Sequence, residues 1–112
     1  MAQVASTPDP KILDDLVARI LRACQPTRII LFGSAARGEM RENSDLDVMI
    51  VLPEGADIPA AEEELYRNMR KFGTDFDLVV VTEGNVQRNG NNPCLVIYAA
   101  LRDGRELYRA AG

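Results

Sequence analysis

The sequence predicts an α/β fold, a mixed β-sheet of three to four strands packed with helices. Three observations lead there. Apolar stripes at helical spacing alternate along the chain with short β-branched runs, the pattern of helices layered on a sheet. The link between the first two strand-like runs, residues 33–44, is short for a crossover, so those strands should be antiparallel and the sheet mixed. The second run, Val48-Met49-Ile50-Val51-Leu52, is apolar on both faces, which marks a central strand covered on both sides.

Taken in order, residues 1–8 are small, polar and Pro-containing and are expected to fray. Asp9-Pro10 reads as an N-cap followed by a first-turn proline. Leu13, Leu16, Val17, Ile20, Leu21 and Cys24 then form an amphipathic stripe that Gln25-Pro26 ends. Arg28–Phe32 is a buried strand, and Gly33–Met40 a turn leading into a short helix, closed by the polar Arg41-Glu42-Asn43-Ser44. Asp45–Leu52 is the second strand. Residues 58–72 form a helix with Ala61, Leu65, Met69 and Phe72 inward. Its glutamates come early and Arg70 and Lys71 late, as the helix dipole favours, and Gly73 caps it. Asp75–Thr82 is a third strand, and Glu83–Asn92 reads as a Gly- and Asn-rich loop. Pro93–Arg102 is a last helix with Cys94, Ile97, Tyr98 and Leu101 as its stripe, and Arg105–Arg109 a short edge strand.

The chain has 112 residues, 46% of them hydrophobic, which suits one domain over residues 1–112 with an adequate core and no room for a separate acceptor-binding domain. A net charge of -4 argues against non-specific nucleic-acid binding, which relies on basic surface. With no histidine, imidazole zinc sites and Ser-His or Cys-His nucleophiles are excluded. The two cysteines, Cys24 and Cys94, lie in apolar helical patterns and read as buried, reduced thiols. Neither a signal sequence nor a membrane-length apolar run is apparent, so a cytoplasmic protein away from membranes is expected.

The chemistry gathers around residues 29–51. The strand Ile29–Phe32 stops at Gly33-Ser34, where glycine permits close backbone approach and free amides suit phosphate oxygens, with the Ser34 hydroxyl as a further donor. The next strand begins with Asp45-x-Asp47. Side chains alternate along a strand, so both carboxylates share a face. Aspartate is depleted in strands, and two at the head of a buried one suit a hard divalent cation that takes carboxylates, waters and substrate phosphates. Asp77, early in the third strand, would complete a three-carboxylate cluster if that strand neighbours the second. Asp75 shares its face and is the rival, but it follows Gly73-Thr74 and suits a turn. The run Glu62-Glu63-Glu64 reads as a solvated helix face.

Gly33-Ser34, ten residues, then Asp45-x-Asp47 resembles the signature of the DNA polymerase beta nucleotidyltransferase superfamily. The fuller run, Phe32-Gly33-Ser34-x-Ala36-Arg37-Gly38 and Ser44-Asp45-x-Asp47, is similar to its minimal nucleotidyltransferase branch. Phe76-Asp77-Leu78-Val79 matches the strand that carries the third carboxylate, and Gly104–Tyr108 the short terminal strand. The resemblance implies a palm-like mixed sheet, two magnesium ions per site, ATP or another nucleoside triphosphate, and transfer of a nucleoside monophosphate to a hydroxyl. On this chain it places the triphosphate at Gly33 and Ser34, both metals on Asp45 and Asp47, and the third ligand and base at Asp77. Arg37 matches an arginine that contacts phosphate or braces a carboxylate, with a plain structural salt bridge as the equal alternative. Position 35, often arginine in this branch, is Ala35 here, which removes one phosphate contact.

Members this small often serve as the antitoxin of a prokaryotic two-gene module. Their partner is a HEPN-family ribonuclease toxin, which MntA-type antitoxins adenylylate on tyrosine. The resemblance therefore implies a type VII-like antitoxin whose acceptor is a partner protein. Two alternatives stand beside it: a non-catalytic antitoxin that masks its partner, and the nucleotide-binding subunit of a small-molecule adenylyltransferase.

Overall fold

The computed structural model describes residues 8–38 and 45–111. The expected tail up to residue 7, the end of the helix expected to run to Met40, and the polar link to Ser44 lie outside the described residues. The elements run α1 (Pro10–Ala23), β1 (Arg28–Phe32), β2 (Leu46–Leu52), α2 (Ile58–Asn68), β3 (Phe76–Thr82), α3 (Glu83–Asn89), α4 (Val96–Asp103) and β4 (Arg105–Arg109). The four strands form one sheet in the order β3-β2-β1-β4. Strand β1 is antiparallel to both β2 and β4, whereas β2 and β3 are parallel, so the sheet is mixed as expected.

The alternation in β1 and β2 builds two cores. Ile29 and Leu31 of β1 with Val48, Ile50 and Leu52 of β2 face α1 and α2, where Leu13, Leu16, Ile20, Leu65 and Met69 meet them. Ile30, Phe32, Met49 and Val51 face the other way and are covered by Ile97 and Ala100 of α4. Strand β2 is buried on both faces because it is central.

Local chemistry explains most boundaries. Asp9 caps α1 by accepting from the Lys11 amide at 2.9 Å, ahead of Pro10. Leu21, placed on the inward stripe by its spacing, is instead 40% exposed: the sheet takes only the Leu13, Leu16 and Ile20 face. Asp57 caps α2 through the Ala60 amide. That helix ends at Asn68, short of the expected residue 72. The cause is Arg19 of α1, whose guanidinium donates to the Asn68 and Arg70 carbonyls at 2.9 and 2.8 Å. It thereby satisfies carbonyls that the helix end leaves without amide partners. Lys71 then turns through a positive φ of 59°, and Phe72 folds back beneath Arg19 and edge-on to Phe76.

Two expectations are corrected near the carboxyl end. The Glu83–Asn92 stretch is not all loop, because Glu83–Asn89 is helical. Thr82 accepts from the Asn85 amide while the Asn85 side chain accepts from the Thr82 amide, a reciprocal cap that outweighs poor helix formers behind it. The last helix starts at Val96 rather than Pro93, since the Asn92 side chain accepts from the Cys94 amide and holds that stretch in a turn. Cys94 is consequently exposed and not a buried thiol. Cys24 is half-buried, and its burial pushes the thiol pKa up. Both cysteines are unpaired with each other. Among the described residues no helix is long and apolar enough to cross a membrane.

Leu16, wholly buried between α1 and the sheet, sets the scale of the packing energy. Leu16→Ala should lower unfolding stability by about 2–5 kcal/mol, whereas Leu21→Ala should cost less than about 1 kcal/mol. Urea denaturation with an unchanged slope checks both.

Candidate active site

The end of β1 and the start of β2 lie side by side, with Phe32 paired to Asp47. The parallel pairing of β2 with β3 puts Asp47 and Asp77 in register as direct partners, so both side chains stand on one sheet face. That face is the one that Met49 and Val51 share with α4. Asp45 stands just before β2, two residues ahead of Asp47, and its charge acts on the Asp47 carboxylate. The sequence expectation that β3 neighbours β2 is met, and this is what brings Asp77 beside Asp47. Asp75, the rival, sits before the strand, where its carbonyl accepts from the Leu46 amide at 3.0 Å.

Gly33 closes the other side. It adopts φ 73°, in the left-handed region that favours glycine, and a Cβ added there would overlap the Asp47 carboxylate. The glycine therefore serves two ends, ending β1 in a turn and leaving Asp47 room at the sheet lip. Residues 33–38 form turns, with the Arg37 amide bonded to the Gly33 carbonyl at 3.3 Å and the Gly38 amide to the Ala35 carbonyl at 3.4 Å. The short helix expected there is not formed over these residues; Gly38 also takes a positive φ, which a continuing helix would not tolerate. Ser34 follows Gly33 in this turn and is half-buried.

Electrostatics converge on Asp47. Desolvation raises its pKa first, the Asp77 and Asp45 carboxylates raise it further, and the Arg37 guanidinium opposes them. The charged groups that perturb Asp47 are thus the very residues nominated from the sequence. The Arg37 guanidinium lies close enough for its charge to act on Asp47. Ala35 is buried in the core on the α1–α2 side, away from the carboxylate face. Sequence reasoning missed Arg19, which fixes the turn through Phe72 that leads into β3. A long-range clamp of this kind leaves no local signature.

The donor set consists of carboxylate oxygens, which suits a hard cation and not a soft one. Among the described residues no three acidic or thiol side chains stand close enough to enclose an ion unaided. Magnesium makes no such demand, since it keeps several waters and completes its shell with substrate phosphates. Neighbouring carboxylates that repel one another fit a cation that would relieve the repulsion.

A family profile described as "Nucleotidyltransferase domain" matches residues 11–73. The chain belongs to this family. The matched span holds Gly33, Ser34, Arg37, Asp45 and Asp47 and stops short of Asp77, whose case rests on the β2–β3 register. Solved structures show the same fold as this nucleotidyltransferase domain. A Sulfolobus solfataricus protein, described as a candidate nucleotidyltransferase, has a TM-score of 0.61 at 20% identity, over 88% of this chain and 78% of that one. A toxin–antitoxin structure with AMP-PNP gives 0.59 at 22% identity, over 87% and 73%. A double Asp-to-Glu mutant of the toxin–antitoxin MntA–HpeT gives 0.55 at 20% identity, over 84% and 70%. No curated protein sequence matches.

The raised Asp47 pKa has a measurable consequence. Its protonated form favours the fold, so that stability is fully present below about pH 4 and is lost as pH rises through the raised folded value. Asp47→Asn should abolish this loss and melt above wild type at pH 7 without divalent cations, as differential scanning calorimetry across pH would show.

Proposed function

We propose that this nucleotidyltransferase domain transfers AMP from ATP to a hydroxyl, with a tyrosine of a HEPN-family toxin as acceptor, and so acts as a type VII-like antitoxin. The observation that carries the reading is the register pairing of Asp47 with Asp77, with Gly33 leaving space at Asp47. Support for the nucleotide and the partner comes from the fold it shares with toxin–antitoxin structures, one of them with the ATP analogue AMP-PNP.

In this reading Gly33 and Ser34 bind the triphosphate through backbone amides and the serine hydroxyl. Asp45, Asp47 and Asp77 would hold two magnesium ions. Bound there, magnesium supplies neutralisation of phosphate charge and alignment of the attacking and leaving oxygens. Asp77 accepts the proton of the incoming hydroxyl, whose oxygen forms a bond to the α-phosphorus as the bond to pyrophosphate breaks. Arg37 braces Asp47 and offsets part of the negative charge beside the phosphates.

Calorimetry of ATP binding, with and without magnesium, tests the site. Wild type should bind only with magnesium, and Asp45→Asn/Asp47→Asn should weaken binding about a hundredfold or more, since even second-sphere losses cost 10–100-fold. Absence of binding to wild type, with the candidate toxin present, would overturn the enzymatic reading.

A further inference from the structure

The two edges of the sheet are unequally guarded. At one edge β4 is five residues long, carries Arg105, Glu106 and Arg109, and pairs with β1 through a register shift between Ile29 and Ile30. Short length, charge and irregularity are the usual defences of an edge strand. At the other edge β3 is seven residues long, Phe76-Asp77-Leu78-Val79-Val80-Val81-Thr82, with one charge and no proline. Among the described residues no strand pairs with its outer side. Such an edge presents free amides and carbonyls to another strand.

The helix beside that edge says which strand. Tyr66 of α2 is 51% exposed and lies against Phe76, ring centroids 6.1 Å apart. Glu63, Tyr66, Arg67 and Arg70 line a shallow hollow of about 370 Å³. As the crossover between two parallel strands, α2 runs opposite to β3. Its outward surface carries Glu62 and Glu63 near its start, Glu63 pairing with Arg67 of the same helix at 3.2 Å, and turns basic at Arg70 and at Lys71 beyond its end. A surface with this polarity complements itself when two copies meet head to tail.

We propose that the β3 edge and the outward stripe of α2 form the contact between two copies of this chain, antiparallel about a two-fold axis. The axis passes near Val79, so Leu78 of one copy lies opposite Val80 of the other and the two sheets join into one of eight strands. On α2, Tyr66 meets the second copy's Tyr66, and Glu63 meets the second copy's Arg70. Isologous contacts of this kind close after two subunits. The carboxylate face, perpendicular to the edge, stays open.

Sedimentation equilibrium of the full chain, with thermal melts to confirm folding, tests this. Wild type should sediment at twice the chain mass at micromolar concentration. Tyr66→Glu and Glu63→Arg should each raise the dimer dissociation constant about tenfold or more, and Glu63→Arg/Arg70→Glu should restore it. Amide hydrogen exchange over residues 76–82 should slow as concentration rises. A monomeric wild type, a dimer indifferent to the single substitutions, or a charge swap that fails to rescue would overturn the proposal. Protection of residues 76–82 only on adding a different protein would assign the edge to that partner instead.

Discussion

Parallel pairing of β2 with β3 forces the Asp47 and Asp77 side chains onto adjacent strands of one sheet face, where like charges repel and burial sharpens the repulsion. A chain selected for stability alone would place apolar or neutral residues there, as it does two positions further along each strand at Met49 and Val79. The strained electrostatics are local. Behind them the sheet is secured by two cores, and the cost of holding carboxylates together is spread over a fold that does not depend on them.

Several remote features serve that register. Arg19 ties the end of α2 to α1 and turns Phe72 under itself, which sets where β3 begins. At the far end of the sheet, Thr27 donates to Glu83 at 2.6 Å and Arg28 pairs with the same carboxylate at 3.4 Å, joining the start of β1 to the start of α3. These contacts fix both ends of the strand that carries Asp77. The turn after β1 works differently. There, absence of a side chain at Gly33 is what leaves the neighbouring carboxylate its place.

The parts legible in the sequence were those written in local periodicity or in short-range chemistry. Strand β1 falls where its β-branched run predicts, β2 is central because it is apolar on both faces, and the antiparallel β1–β2 pair follows from the length of its link. The turn at Gly33 and the placing of Asp47 at the head of β2 were readable because a glycine ends the apolar run of β1 and the next apolar run opens on aspartates. Asp77 needed the strand order, which alternation alone does not supply. Helix α3 was missed because Gly84, Asn85 and Asn89 form helices poorly, and the reciprocal Thr82–Asn85 cap that compensates depends on geometry. The end of α2 was misplaced because a side chain 49 residues away in sequence completes it. Cys94 was misassigned for the simplest reason: its apolar spacing continued a helix that the Asn92 turn interrupts.

The central claim is that one carboxylate face, and not acidity in general, receives the cation. Nuclear magnetic resonance of the labelled chain with substoichiometric manganese addresses it directly, because a paramagnetic ion broadens the amides nearest to it. The account predicts broadening confined to Gly33, Asp45, Asp47 and Asp77 and their immediate neighbours, removed by excess magnesium. Broadening centred on Glu62, Glu63 and Glu64 of α2, or spread evenly over the acidic surface, would contradict it.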